Sequence, residues 1–255
     1  MKSMTGILEN LVFISARRNL LYVTDTTAFN LKPTRKFEHL SCFFPGLLAL
    51  GADTLPESFM SKEQRELHMW AAEGLAHTCW VMYADQPSGL GPEIAMFDGW
   101  KTDASAASND HWKQERWMTH VERWEQEGRI GGKPPGVGNA GLPLELEESN
   151  SENYRMTDYK IYTSSYLLRP EVSVWLSVSS LEALSNFLQT LESMFLLYRT
   201  TRDPKWRERG WEIWKAIESK TRTNSGYASV YGVQKATPSA QDSMPRYVVF
   251  ERSLW

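Results

Sequence analysis

Apolar residues recur at helical spacing in four stretches of the chain. Ser61-Lys62-Glu63-Gln64 has the order of a capping box, a hydroxyl acceptor followed three residues later by a glutamine. It predicts a helix running to about Tyr83, with Leu67, Trp70, Ala71, Leu75 and Cys79 on one stripe. A second helix is predicted from Asp110 or His111 to about Gly128, where Trp117, Val121 and Trp124 recur and Gly128 stops the run. A helical hairpin follows. Its first arm, Leu191 to Thr200, turns Leu191, Met194, Phe195 and Tyr198 inward. Asp203 caps the second arm and Pro204 takes its first helical position, ahead of Trp206, Gly210, Ile213, Trp214 and Ile217; Thr223–Gly226 ends it. Strand-like alternation is scarce, and Tyr227–Val233 is the best candidate for a short strand. Gly128–Gly141 is too rich in Gly and Pro to be regular, and Asp98–Asn109 and Leu144–Asn153 read as polar loops. The fold class expected is all-α, assembled from helix pairs.

Composition narrows the function classes. With 255 residues, 42% hydrophobic and 23% charged, the chain can bury a substantial core. A net charge of −3 lacks the basic footprint of a nucleic-acid binder. The richest apolar run, Leu40–Ala52, is too short to span a bilayer and holds Pro45, Gly46 and Gly51. Glu9 and Asn10 interrupt the apolar start, so no signal peptide and no membrane segment are expected. There is no dinucleotide fingerprint, no P-loop and no nucleophile elbow. The 11 Trp residues hint at sugar stacking, but filling helix interfaces is the stronger expectation.

Three carboxylates stand in unusual local settings. Glu38 precedes His39 and the apolar run, Glu93 ends Gly-Leu-Gly-Pro-Glu, and Glu171 ends Tyr-Leu-Leu-Arg-Pro-Glu with Arg169 two residues before it. Each alone reads as a surface ion pair. Several of them meeting in one cleft with aromatics would suit glycoside hydrolysis, in which one carboxylic acid protonates the leaving oxygen and another carboxylate activates water.

The strings Phe37–Ala52, Gly89–Ile94, Tyr166–Glu171 and Thr190–Glu218 resemble, in order and spacing, the class I α-1,2-mannosidases of glycoside hydrolase family 47, the fungal endoplasmic-reticulum type above all. The resemblance implies a barrel of seven helical hairpins, (α/α)7, of which this chain would be a part. It implies a calcium-dependent, inverting monomeric enzyme that trims terminal α-1,2-mannose from high-mannose N-linked oligosaccharides in the endoplasmic reticulum or Golgi lumen. Glu38 matches a catalytic carboxylate that is usually Asp, and Glu171 matches a general-base candidate; which of the two activates water stays open. Glu93, Arg169 and Glu192 match sugar- and calcium-pocket positions.

The chain also departs from that pattern. In the family the glutamate matching Glu192 follows the one matching Glu171 by three residues, whereas here Val172–Gln189 intervenes. Deleting 172–189 restores an uninterrupted motif, and valine codons begin with GT, so the segment resembles a retained intron, with a genuine surface insertion as the alternative. The family's general-acid glutamate lies upstream of the region matched by Met1–Val23, and its calcium-binding threonine lies beyond the tail, residues 246–255, which reads as out of frame. The expectations are therefore no turnover by the chain as written, apolar helix faces left uncovered, and two cysteines without a bridge. The competing readings are a non-catalytic mannose-glycan-binding or helical partner-binding protein and, last, a helical-repeat scaffold, for which no 34-residue period exists.

Overall fold

The computed structural model describes residues 2–100, 111–144, 158–168, 189–224 and 226–246. The loops expected over Asp98–Asn109 and Leu144–Asn153 fall largely outside them, as do 172–188 and 247–255. Two helical hairpins form the framework: α2 (Phe44–Thr54) with α3 (Lys62–Ala84), and α5 (Gln189–Thr201) with α6 (Pro204–Thr221). Because α2 packs on both α3 and α5, the hairpins lie side by side. α1 (Lys2–Asn10) and α4 (Trp117–Gln126) pack on one another and on the hairpin of β1 (Val12–Ile14) and β2 (Leu21–Val23).

The starts of the long helices follow their caps. Gln64 N–H donates to Ser61 Oγ at 3.3 Å and Ser61 N–H to Gln64 Oε1 at 3.0 Å. At the second hairpin, Lys205 N–H donates to Asp203 Oδ1 at 3.1 Å, and Pro204, which has no N–H to lose, begins α6. Trp70, Ala71, Leu75 and Cys79 are buried along α3, and Trp206, Gly210, Ile213 and Ile217 along α6. Trp112, Trp117 and Trp206 are fully enclosed, and Trp70 meets Trp124 edge to face at 5.3 Å, so among the described residues these five tryptophans do fill element interfaces.

The expectation of an all-α chain holds only in part: the framework is helical, but short sheets accompany it. β3 (Lys36–Glu38), β4 (Ile94–Phe97) and β5 (Tyr159–Thr163) form one antiparallel sheet in the order β3-β4-β5. A second sheet has β8 (Gly226–Tyr231) between β6 (Ser165–Tyr166) and β7 (Arg222–Thr223), with β9 (Ser239–Arg246) also paired to β8. β8 is the strand anticipated at Tyr227–Val233. β1 to β7 span two to five residues, too few to show a period of two, and β9, though eight residues long, is a polar run (Ser-Ala-Gln-Asp-Ser) with no apolar alternation at its start.

Three further expectations are corrected. The helix expected from residue 110 or 111 begins as a 3-10 turn, His111–Glu115, and breaks at Arg116, whose backbone is extended and bridges Phe13 of β1. Glu115 is buried in a two-pronged pair with Arg35, at 2.7 and 3.0 Å from its Nη2, which draws the segment away from a continuous helix. On α5 the deepest face is Thr190, Ser193, Met194 and Leu197, because α2 and the turn before it press on that side. Finally, Cys42 and Cys79 form a disulfide, with Cα atoms 5.9 Å apart. Matching each cysteine to the family separately says nothing about which faces a hairpin brings together. Here the turn before α2 folds back onto the C-terminal part of α3, and the cross-link closes a loop with a sequence separation of 37, contributing about 2–4 kcal/mol.

Candidate active site

Glu38 ends β3, where its backbone pairs with Ile94 in β4. Its carboxylate lies on the same side of the strand as Lys36, with which it forms an ion pair, and its side chain is 41% exposed. The chain then tightens into a 3-10 turn, His39–Phe43. Glu93, at the foot of β4, is only 6% exposed. Its backbone is a junction: its carbonyl accepts from His39 N–H at 2.9 Å, and its N–H donates to the Ser165 carbonyl at 2.9 Å. Glu38 thus ends one strand and Glu93 immediately precedes the adjoining one, and β6 is stitched to the same point.

Glu192 is half-buried in the first turn of α5, where the helix dipole favours a negative charge. Two residues earlier, Thr190 Oγ1 lies 3.4 Å from His39 Nε2. Next to it, Ser193 Oγ donates to the Cys42 carbonyl at 2.6 Å and accepts from Gly46 N–H at 3.0 Å. The start of α5 is therefore bound to the segment that follows Glu38. Arg169 and Glu171 lie outside the described residues. Shortly before them, Tyr166 and Leu168 are buried, and Leu168 N–H donates to Ser229 Oγ at 3.1 Å. The backbone segments carrying Glu38, Glu93 and Glu192 thus meet at one corner of the fold, while the Glu38 carboxylate is turned to Lys36.

Sequence reasoning missed the polar residues beneath that corner. His39, Tyr83 and Tyr166 meet as rings, with centroids 5.6–5.9 Å apart. Tyr83 and Tyr166 are 2% exposed and Thr190 1%. Burial pushes the Tyr83 phenol up to about 12, against the opposing pull of its contacts with Thr190 and Tyr166, so it stays a neutral donor. Burial likewise raises Tyr166 well above the ordinary phenol range, helped by Tyr83. A signal existed: Tyr83 continues the α3 stripe four residues beyond Cys79, and a tyrosine on a buried stripe needs a partner for its hydroxyl.

A charged cluster anchors the end of α3. Arg18 Nη2 and Nη1 contact the two Asp85 oxygens at 2.9 and 3.0 Å, and Arg18 Nε contacts Asp158 at 2.5 Å. Asp158 also accepts from Ser15 Oγ at 2.7 Å, and Asp85 from Tyr159 Oη and Leu144 N–H, both at 2.9 Å. Burial pulls the guanidinium down, but Asp85 and Asp158 more than offset it, leaving its pKa above the ordinary value. The cluster ties the β1–β2 connection, the residue that caps α3 and the start of β5 into one unit.

Calcium requires six to eight oxygens. Among the described residues no three His, Cys, Asp or Glu side chains converge on one point, so they do not build a cage for the ion by themselves. Among them, too, no helix is long and apolar enough to cross a membrane.

Comparison with known proteins bears on this corner. The model of glycosyl hydrolase family 47 matches residues 1–252. The chain is 29% identical over 261 residues to a mannosyl-oligosaccharide 1,2-alpha-mannosidase of Arabidopsis thaliana, covering 98% of this chain and 32% of the relative. It is 28% identical over 253 residues to the endoplasmic reticulum mannosyl-oligosaccharide 1,2-alpha-mannosidase of Mus musculus, covering 98% and 27%. The fold is similar to that of an alpha-1,2-mannosidase from Trichoderma reesei, with a TM-score of 0.58 at 21% identity over 94% of this chain and 36% of the other. The chain spans about a third or less of the length of these curated relatives.

Proposed function

Because a match running from residue 1 to 252 makes the chain a member of glycosyl hydrolase family 47, we propose that it serves the hydrolysis of terminal α-1,2-linked mannose in high-mannose N-linked oligosaccharides. The observation that carries this reading is the junction at Glu93, whose backbone binds both the residue after Glu38 and β6. Segments far apart in sequence, each carrying an acidic residue, are thereby tied together beside buried aromatic rings.

The proposed reaction is a single displacement with inversion. A carboxylic acid, a role for which the resemblance assigns no residue of this chain, protonates the departing glycosidic oxygen while a carboxylate takes a proton from the attacking water. Glu38 or Glu171 takes the second role. Glu93, Arg169 and Glu192 hold sugar hydroxyls, where a charged acceptor or donor outweighs a neutral one. The surrounding framework is read as part of a seven-hairpin barrel with the sugar at its floor. Calcium dependence belongs to the same reading by family, and the steps above use protein groups alone. The Cys42–Cys79 bridge supports an oxidising compartment, in keeping with the endoplasmic reticulum or Golgi lumen.

Calorimetry with α-1,2-linked mannobiose, alongside its α-1,6-linked isomer, tests the substrate class. Selective binding of the α-1,2 isomer is expected, weakened about tenfold in Glu93→Gln, which removes one charge-assisted contact. Equal binding of both isomers, or of neither, defeats the reading. Mannose release that is lost in Glu38→Gln would assign catalysis to the chain; selective binding without release would favour a mannose-glycan-binding protein.

A further inference from the structure

The carboxylate-bearing segments share one contact that neither the motifs nor the family match singles out. Tyr83 Oη, at the C-terminal end of α3, is hydrogen-bonded to His39 Nε2. It also lies 3.5 Å from Thr190 Oγ1 and 3.4 Å from Tyr166 Oη, at the outer limit of hydrogen bonding. A phenol has one proton to give and two lone pairs to offer. The arrangement is satisfied if His39 Nε2–H donates to Tyr83 and the Tyr83 proton goes to either hydroxyl. The ring of Tyr83 is engaged as well: a Cβ added at Gly91 would sit 2.8 and 2.9 Å from its Cε2 and Cδ2, so the backbone of Gly91 lies flat against it.

We propose that Tyr83 is a positioning residue, whose hydroxyl and ring face together set where Glu38, Glu93 and Glu192 stand relative to one another. His39 follows Glu38 directly, Gly91 precedes Glu93 by two residues, and Thr190 precedes Glu192 by two. Each contact is thus within two residues of a carboxylate, and a shift of the ring moves all three segments together. Tyr83 is itself held, because Asp85, two residues on, is clamped by Arg18. The burial that keeps the phenol neutral keeps its proton available over the whole range in which carboxylates and histidine titrate. The consequence for catalysis rests on the glycosidase reading; the geometry does not.

Tyr83→Phe removes only the hydroxyl, and Thr190→Val removes the oxygen facing it, while Thr190→Ser keeps that oxygen. The side-chain carboxyls of Glu38, Glu93 and Glu192 are titrated by 13C NMR in each folded variant. In Tyr83→Phe at least two of the three midpoints are expected to move by about 0.5 pH unit, roughly threefold in proton affinity, with a smaller shift in Thr190→Val and reversal in Thr190→Ser. A purely structural tyrosine would lower the melting temperature and leave the midpoints in place. Unmoved midpoints in Tyr83→Phe overturn the proposal, and if that variant does not fold, unmoved midpoints in Thr190→Val do so. Moved midpoints in Tyr83→Phe, together with a wild-type chain that binds no α-1,2-linked mannobiose, would uphold the positioning role and remove the sugar-cleaving reading alone.

Discussion

Arg18 shows how much one side chain can carry. Its guanidinium is the cation between two buried carboxylates, Asp85 and Asp158. In Arg18→Met the packing of the stem is largely retained, but both acids remain in a poorly solvated site without their counter-charge. Breaking such a pair costs about 3–5 kcal/mol, and a urea melt should record a loss of that size. His77 makes an opposite contribution. Its Nε2–H donates to the Gly141 carbonyl at 2.8 Å, and burial pushes its pKa down to about 4, with Arg209, Lys205 and Arg18 adding to the descent and the Gly141 bond opposing it. The unfolded chain accepts this proton near pH 6.5 and the folded chain only near 4. Between those values the unfolded state binds more protons, so stability falls as pH falls, by up to about 3 kcal/mol, and the loss is complete below about pH 4. His68, also lowered chiefly by burial, acts in the same direction. Denaturant melts from pH 7 to 4 should show this decline, with a shallower slope in His77→Gln.

Helix α2 carries two glycines with different reasons to be there. At Gly46 an added Cβ would lie 2.8 Å from Ser193 Oγ and 2.9 Å from Ser193 Cα, a backbone atom of the neighbouring helix that has little room to yield. At Gly51 it would meet only Leu55 Cδ1, at an ordinary 3.8 Å. Gly46→Val should therefore force α2 and α5 apart and cost about 1–3 kcal/mol. Gly51→Ala should stabilise by about 0.5–1 kcal/mol through backbone entropy. Thermal melts of the two variants should move in opposite directions. The close approach at Gly46 also lets Ser193 bond to both the Gly46 N–H and the Cys42 carbonyl, which seats the start of α5 against the segment after Glu38.

On the scale of the molecule, one surface stands out. Leu40, Phe43, Leu47 and Leu50 are 42%, 39%, 38% and 40% exposed and follow one another at helical spacing along the turn and α2. This matches the expectation of uncovered apolar helix faces. Such a stripe binds hydrophobic dyes and promotes association. Leu47→Lys with Leu50→Lys should reduce dye fluorescence and concentration-dependent light scattering, while the melting temperature changes little because neither side chain is enclosed. Unchanged dye binding would mean the stripe is not the exposed apolar surface in solution.

Local chemistry made much of this protein legible. The capping box at Ser61, the Asp203-Pro204 start and the apolar stripes of α3 and α6 depend on neighbours a turn away, and those interactions survive in any fold. Glu38, Glu93 and Glu192 each sit in a short distinctive string, which marks them along the chain without fixing what they meet. Other features depended on contacts between distant parts of the chain. Strands of two to five residues have no period to read. The 3-10 start before α4 exists because Arg116 bridges Phe13, about a hundred residues earlier in the chain. The Cys42–Cys79 bond, the Arg18 cluster and the Tyr83 contacts join groups separated by 37, 67 and 107 residues. No pattern along the chain encodes which of many equivalent partners will meet; packing two helical hairpins against short sheets makes that choice, and the candidate site is one of its products.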